Sequence, residues 1–388
     1  MPTPPTQRIP RWAPYAVATL WLALGYANLV RGVAHPGVAY RPWAFSHHAY
    51  SDILALSGDR YLQGGRPIPY LEDPVEYPVL IGVALWAPSH LPGGQLVHFT
   101  ASYLFLAICL FASVAMLARI PGASPWWLAG TPALVYYAGL NWDLLPIALL
   151  VASALALSRG RPAAAGALSA LGAAAKLWPL AIVPPAAAAF LARRDGRSLA
   201  RGAAAFAATL LLVNLPFALA APAGWSWFAR YNRDRSAENS IWEALGSWSP
   251  PALNAATLLL LALAAFVAAG SAFRSREEER DRAVRLGTGL VLVVWIATNK
   301  VYSPQYALYA FAAGALVSAP PWMFFVLSAV AAADYHLAFE VRSGRGLFAF
   351  FDRTYYAEEV VRTLAYAALC AFLVAGMIRA AARERAAR

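Results

Sequence analysis

The stretch LVHFTASYLFLAICLFASVAMLAR, residues 96–119, contains no Asp, Glu or Lys and reaches its first Arg only at Arg119. An uncharged apolar run of this length meets the ~20 residues that a helix needs to cross a bilayer. The chain around it has the same character. Of its 388 residues, 60% are hydrophobic and 13% charged, against about 45–50% apolar and about 25% charged in soluble domains. So little charge cannot cover a water-facing surface. An ordinary cytosolic enzyme, a disordered chain, collagen and a coiled coil are excluded, and the chain reads as an all-α polytopic membrane protein.

Upstream, an apolar run over 12–30 is longer than the ~7–15 residues of a signal-peptide core and lacks a small-residue cleavage site, so it reads as an uncleaved first span. Downstream runs cover 126–138, 144–157, 163–177, 180–191, 203–221, 252–273, 286–298, 305–317, 322–333 and 361–378. Several are short for a bilayer, which predicts helices whose ends stop at a water-filled cavity. Arginine clusters then set direction through the positive-inside rule. Arg119, Arg159 and Arg161, the group from Arg193 to Arg201, the segment 274–285 and the tail from Arg379 all fall on the cytoplasmic side provided 78–90 does not cross. The expectation is twelve spans in the plasma membrane, both termini cytoplasmic, in a single integral-membrane domain over residues 1–388. On that assignment the cytoplasmic segments hold 18 of the 31 basic and 6 of the 20 acidic residues. The formal charge of +11 is therefore topological, and nucleic acid is not an expected partner. Cys109 and Cys370 lie in apolar runs far apart and read as small core residues.

The remaining residues gather in three outer loops, the longest about 31–95, then 222–249 and 334–359. Long ordered loops in compact proteins are usually functional. In the first, His47-His48-Ala49-Tyr50-Ser51-Asp52 precedes Glu76-Tyr77-Pro78-Val79-Leu80, and residues 50–62 read as a short amphipathic helix on the membrane surface. A carboxylate such as Asp52, held in a partly dry pocket at the lip of a bundle, is a candidate general base; a solvated surface acid is the plainer alternative. Asn141-Trp142-Asp143 sits at an outer helical hairpin, where either polar residue could instead cap a helix. Lys176 and Lys300 are the only lysines among the 31 basic residues, and both fall at outer helix ends. Snorkelling would explain them; with Arg233 and Arg235 they could also cage a phosphate. His48, Glu76, Tyr77, Asn141, Asp143, Gln305, Tyr306 and His336 complete the candidate substrate contacts.

Asp52 after one span, Tyr77-Pro78-Val79-Leu80, Asn141-Trp142-Asp143 and Lys176-Leu177-Trp178-Pro179 together resemble the GT-C integral-membrane glycosyltransferases, and among them glycosyltransferase family 87, the polyprenyl-phosphate-mannose-dependent mannosyltransferases of bacterial envelopes. Arg233-Asp234-Arg235 and Asn299-Lys300-Val301 with Gln305-Tyr306 are also similar to the catalytic subunit of GPI mannosyltransferase I. The similarity runs over about residues 12–310 as short islands. That subunit carries a DxD element where this chain has Asp52-Ile53-Leu54, and no zinc-type spacing is present, so no metal cofactor is expected.

The resemblance implies a GT-C-like bundle with a long first extracytoplasmic loop carrying membrane-surface helices. It also implies an inverting transfer from a polyprenyl-phosphate sugar to a lipid or glycan acceptor outside the cell membrane, with Asp52 as base, Lys176, Arg233, Arg235 and Lys300 on the donor phosphate, and membrane lipids as surroundings. A transporter or lipid flippase would also suit a dozen spans, but such folds show repeats between halves and broken helices at the midplane. Here the polar residues cluster on one face and no repeat is apparent. A non-catalytic scaffold would leave the two lysines and the acidic first loop unexplained.

Overall fold

A computed structural model describes residues 10–62, 65–343 and 352–385. Among these residues the chain is helical throughout, with only two isolated β-bridges, Pro69 to Asp73 and Glu238 to Val301. Six helices are long and apolar enough to cross a membrane: Ala13–Ala34, Gly94–Leu117, Gly196–Ala220, Pro250–Arg274, Pro321–Glu340 and Glu358–Ala380. Four shorter apolar helices, Val79–His90, Leu144–Ser158, Pro162–Ala175 and Trp178–Ala192, accompany them. At ~1.5 Å per residue, Pro162–Ala175 is about 21 Å long, against a hydrocarbon core of about 30 Å. A count of twelve spans thus depends on helices of this short kind.

The centre of the bundle follows from composition. Glu277–Thr298 is buried without interruption from Ala283 to Val293, and every residue of Ala307–Val317 is buried. A helical stretch that is apolar on every face, as 286–296 and Ala307–Val317 are, must be surrounded by others, and these two helices pack on each other and, with Leu144–Ser158, build the core. By contrast, no residue of Gly196–Ala220 is buried. It lies along Pro162–Ala175, where a Cβ on Gly166 would come 2.1 Å from the carbonyl oxygen of Gly202.

The first loop departs from expectation. Its helix spans Asp52–Ser57, followed by a wider turn over Gly58–Leu62, and Ile53 to Ser57 are all buried. It is therefore wedged against Gly94–Leu117 and Val79–Trp86 rather than laid on a membrane surface. The reason is its composition: Ile53-Leu54-Ala55-Leu56 is apolar on every face, so no polar side is left for water.

Because the Gly166–Gly202 crossing is a backbone contact, no side-chain rotation relieves a larger residue there. Gly166→Leu should destabilise the protein by about 1–3 kcal/mol, read as a lowered midpoint in thermal unfolding of the detergent-solubilised protein, while Gly196→Ala, with open space around its Cβ position, should leave the midpoint in place.

Candidate active site

Ser51 has an extended backbone (φ −141°, ψ 127°) and starts the helix by accepting from the Ile53 amide through Oγ at 3.2 Å. The same hydroxyl donates to the Gly139 carbonyl at 2.6 Å, and the Asp52 amide donates to the Leu140 carbonyl at 2.7 Å. The first loop is thereby stitched to the hairpin at 139–143. Since side chains two apart on an extended segment point the same way, Tyr50 and Asp52 meet, and the Tyr50 hydroxyl donates to Asp52 Oδ1 at 2.9 Å. Asn141 Nδ2 donates to Asp52 Oδ2 at 2.7 Å and to the Tyr77 hydroxyl at 2.9 Å, while its Oδ1 accepts from the Trp142 amide at 2.6 Å. Each Asp52 oxygen thus receives one hydrogen bond and keeps a lone pair for a substrate proton.

Burial pushes the Asp52 carboxyl above the usual carboxylate range. The bonds from Asn141 and Tyr50 and the charge of Lys176 hold it down, and Glu76 raises it again. Burial and then Asp52 itself drive the Tyr50 hydroxyl well above its ordinary value, so Tyr50 stays protonated and remains a donor. The arrangement is a partly dry carboxylate with oriented donors, which is what proton abstraction at neutral pH requires.

Asp52 opens onto a cavity of about 540 Å³ that Glu76, Tyr77, Asn141, Lys176, Arg235, Gln305 and Tyr306 also line. Gln305 is 2% exposed and its Oε1 has no hydrogen-bond partner among the described residues, so it is available to a ligand. Glu76 is paired with Arg60 at 2.8 Å. Arg235 forms an ion pair with Glu238 and lies 5.3 Å over the Tyr231 ring.

The remaining expected residues, and Lys176 on the cavity wall, have partners of their own. Asp143, fully buried, occupies the N-cap position of Leu144–Ser158 without capping it. Its two oxygens instead take the Lys176 ammonium at 2.7 and 2.8 Å. That ammonium lies 5.6 Å from the Tyr77 and Tyr306 ring centroids and is only 6% exposed as a residue, so Lys176 does not snorkel. Its charge is already balanced. The four cations do not form one cage: Lys300 donates to the Arg233 carbonyl at 2.9 Å, fastening the end of Trp227–Asp234, and Arg233 points to solvent with Asp234. His48 and His336 face one another through their Nδ1 atoms at 2.8 Å in a separate recess of about 370 Å³, and His48 Nε2 also reaches Glu340.

Sequence reasoning missed Tyr50, Arg41, Glu238 and Arg342, all on the cavity wall. Only Tyr50 carried a legible signal, its i, i+2 relation to Asp52. A second cavity, about 630 Å³ and almost wholly apolar, meets the first at Tyr77, Pro78, Leu177 and Phe228 and continues past Tyr70, Phe206 and Leu210. Among the described residues, no group of three or more His, Cys, Asp or Glu side chains is placed to hold a metal ion.

The model of glycosyltransferase family 87 matches residues 76–299, more than half of the chain. The matched part contains Tyr77, Asn141, Asp143, Lys176 and Arg235 and begins after Asp52. No curated protein matches the chain.

A buried pair behaves differently from a phosphate ligand when one member is removed. Lys176→Met leaves Asp143 buried and unpaired and should cost about 3–5 kcal/mol, whereas Lys176→Met with Asp143→Leu should regain most of that loss. Unfolding midpoints of the two variants decide between a structural pair and a cation held free for substrate.

Proposed function

The chain belongs to glycosyltransferase family 87 and is a glycosyltransferase; we propose that it moves a sugar, mannose, from a polyprenyl-phosphate donor to a hydroxyl of an envelope glycolipid or glycan. The observation that carries this reading is the junction of the two cavities. A polar chamber holding Asp52 and Arg235 opens at Tyr77 and Phe228 into an apolar channel large enough for an isoprenoid chain. A soluble nucleotide-sugar would leave that channel without a purpose. The positive-inside distribution of the arginine clusters supports an extracytoplasmic chamber in a multi-pass plasma-membrane protein with both termini cytoplasmic, and in this reading the short helices make up twelve spans.

In this reading the donor phosphate lies at the mouth of the channel against Arg235, which turns from Glu238 toward it. Arg233 and Lys300 serve indirectly, by holding the end of Trp227–Asp234 from which Arg235 projects. Asp52 takes the proton of the acceptor hydroxyl, the oxygen forms its bond to the anomeric carbon, and the bond from that carbon to the phosphate oxygen breaks. The leaving phosphate keeps the electron pair, and the proton on Asp52 passes to water as product departs. Gln305 and Tyr306 accept and donate hydrogen bonds to sugar hydroxyls, Tyr77 does so beside Asn141, and the Lys176–Asp143 pair stiffens the floor beneath them. His48 and His336 act at the outer edge, through the loop that carries Tyr50. No step calls for a metal.

Asp52→Asn keeps the size of the side chain but cannot accept the proton, so transfer from polyprenyl-phosphate mannose by the purified protein should fall by roughly 10²–10⁴-fold, with donor binding unchanged. Retention of more than about a tenth of parental turnover would move the base elsewhere.

The base must be ionised to work, so activity should be lost as pH falls through the raised Asp52 value. Asn141→Ala removes the strongest bond holding that value down and should move the acid limb of the rate profile to higher pH. An unmoved limb would mean that Asp52 does not govern it.

A further inference from the structure

Arg362 lies outside the chamber, on Asp352–Arg385, and is only 2% exposed. Groups from three other segments satisfy it. Nη1 donates to Asp334 of Pro321–Ser343, Nη2 donates to the Asn239 carbonyl at 2.6 Å, and Cζ lies 3.7 Å from the centroid of the Tyr302 ring. The Tyr302 hydroxyl is in turn 2.7 Å from that of Tyr366, one turn along the helix from Arg362. A guanidinium can make all of these contacts at once, because its donors leave in one plane and its face stays free for a ring. An ammonium offers a single point.

Two of the three segments are walls of the chamber. The Glu238 amide donates to the Lys300 carbonyl and the Tyr302 amide to the Glu238 carbonyl, each at 2.9 Å, so the strap 235–240 is laid along 300–302. The strap supplies Arg235 and Glu238 to the chamber, and the segment 299–306 supplies Asn299, Gln305 and Tyr306. Arg362 therefore grips both from behind. At Asn239 the strap takes φ 52°, in the left-handed region that Gly and Asn tolerate best, and the carbonyl of this residue is the one that meets Arg362. Burial does not fix Arg235: in its ion pair with Glu238 the side chains are 27% and 49% exposed. Its place is set by the backbone that carries it.

We propose that Arg362 is a positioning residue for the donor: by holding the strap at Asn239 it sets Arg235 where the donor phosphate arrives at the mouth of the apolar channel. The inference rests on Arg235 as the phosphate ligand. A residue that acts through Arg235 has a signature that general support of the fold does not share, since its loss matters only while Arg235 is present.

The test uses the full-length protein in detergent with polyprenyl phosphate as the probe, binding being read by native mass spectrometry. Arg362→Lys keeps a positive charge beside Asp334 but cannot also hold Asn239 and cover Tyr302. It should weaken binding by roughly tenfold, the lower end for a lost hydrogen bond to a charged group. In an Arg235→Gln background the same change should cost less than about twofold, the non-additivity expected of two residues that act as one unit. Asn239→Val resists the left-handed turn and should reproduce the loss with the Arg362–Asp334 pair intact, while Asn239→Gly should lose far less. Without any ligand, amide exchange over 236–243 should quicken in Arg362→Lys and stay unchanged in Ala307–Val317. Equal weakening with and without Arg235, or strap exchange as slow as in the parent, overturns the proposal. If Arg362→Lys fails to fold, Asn239→Val decides, and undiminished binding by that variant overturns it equally. Failure of the parent to bind polyprenyl phosphate would instead overturn the donor reading, with strap exchange still deciding what Arg362 holds.

Discussion

Three short hydrogen bonds between Ser51–Asp52 and Gly139–Leu140–Asn141 hold the first loop to the wall of the polar chamber. Without them the first loop would be a separate excursion, and its carboxylate would sit in water with an ordinary affinity for protons. With them, Asp52 is brought against the hairpin that leads into Leu144–Ser158, and Asn141 ties it to Tyr77 just before Val79–Trp86. One amide side chain, with both N–H donors used, thereby fixes Asp52, a cavity tyrosine and the hairpin in a single geometry.

Around that point, charge is distributed with economy. Asp143 and Lys176 neutralise each other in the floor of the chamber, as Glu76 with Arg60 and Glu238 with Arg235 do in its wall. Burying a pair such as Lys176–Asp143 contributes little net stability, but breaking it is costly, so it acts as a fixed dipole, whereas the more exposed Arg235–Glu238 pair is cheap to open. Among the described acids that line the chamber, Asp52 alone lacks a basic partner, and its hydrogen-bond donors are neutral.

Sequence and structure agree where one helix decides the matter and part where two must meet. The run at 96–118 is a membrane-length helix in isolation and is one in the structure. Asp52 could be singled out because a polar side chain beside apolar helices is conspicuous. The partners were not legible. Lys176 and Asp143 are 33 positions apart and join only because Pro162–Ala175 packs on Leu144–Ser158, so an isolated lysine looked like a free cation. Lys300 looked similar, yet its ammonium is spent on a helix-end carbonyl. His48 and His336 do come together, but 288 positions separate them and they share a recess away from the main chamber. A surface helix over 50–62 is the natural reading because a loop between polar segments gives no hint that neighbouring helices will cover the helix at Asp52–Ser57.

A single uncompensated carboxylate has a stereochemical consequence. Retention of configuration by double displacement needs a second carboxylate as nucleophile, about 5–5.5 Å from the first in enzymes that cleave glycosides this way; the other lining acids, Glu76 and Glu238, are held by arginines. Direct displacement with Asp52 as base inverts the anomeric carbon. The decisive measurement is the configuration of the newly formed glycosidic bond, read by NMR from the one-bond carbon–hydrogen coupling at the transferred sugar and compared with that of the donor. The account predicts the opposite configuration in the product; the same configuration would contradict it.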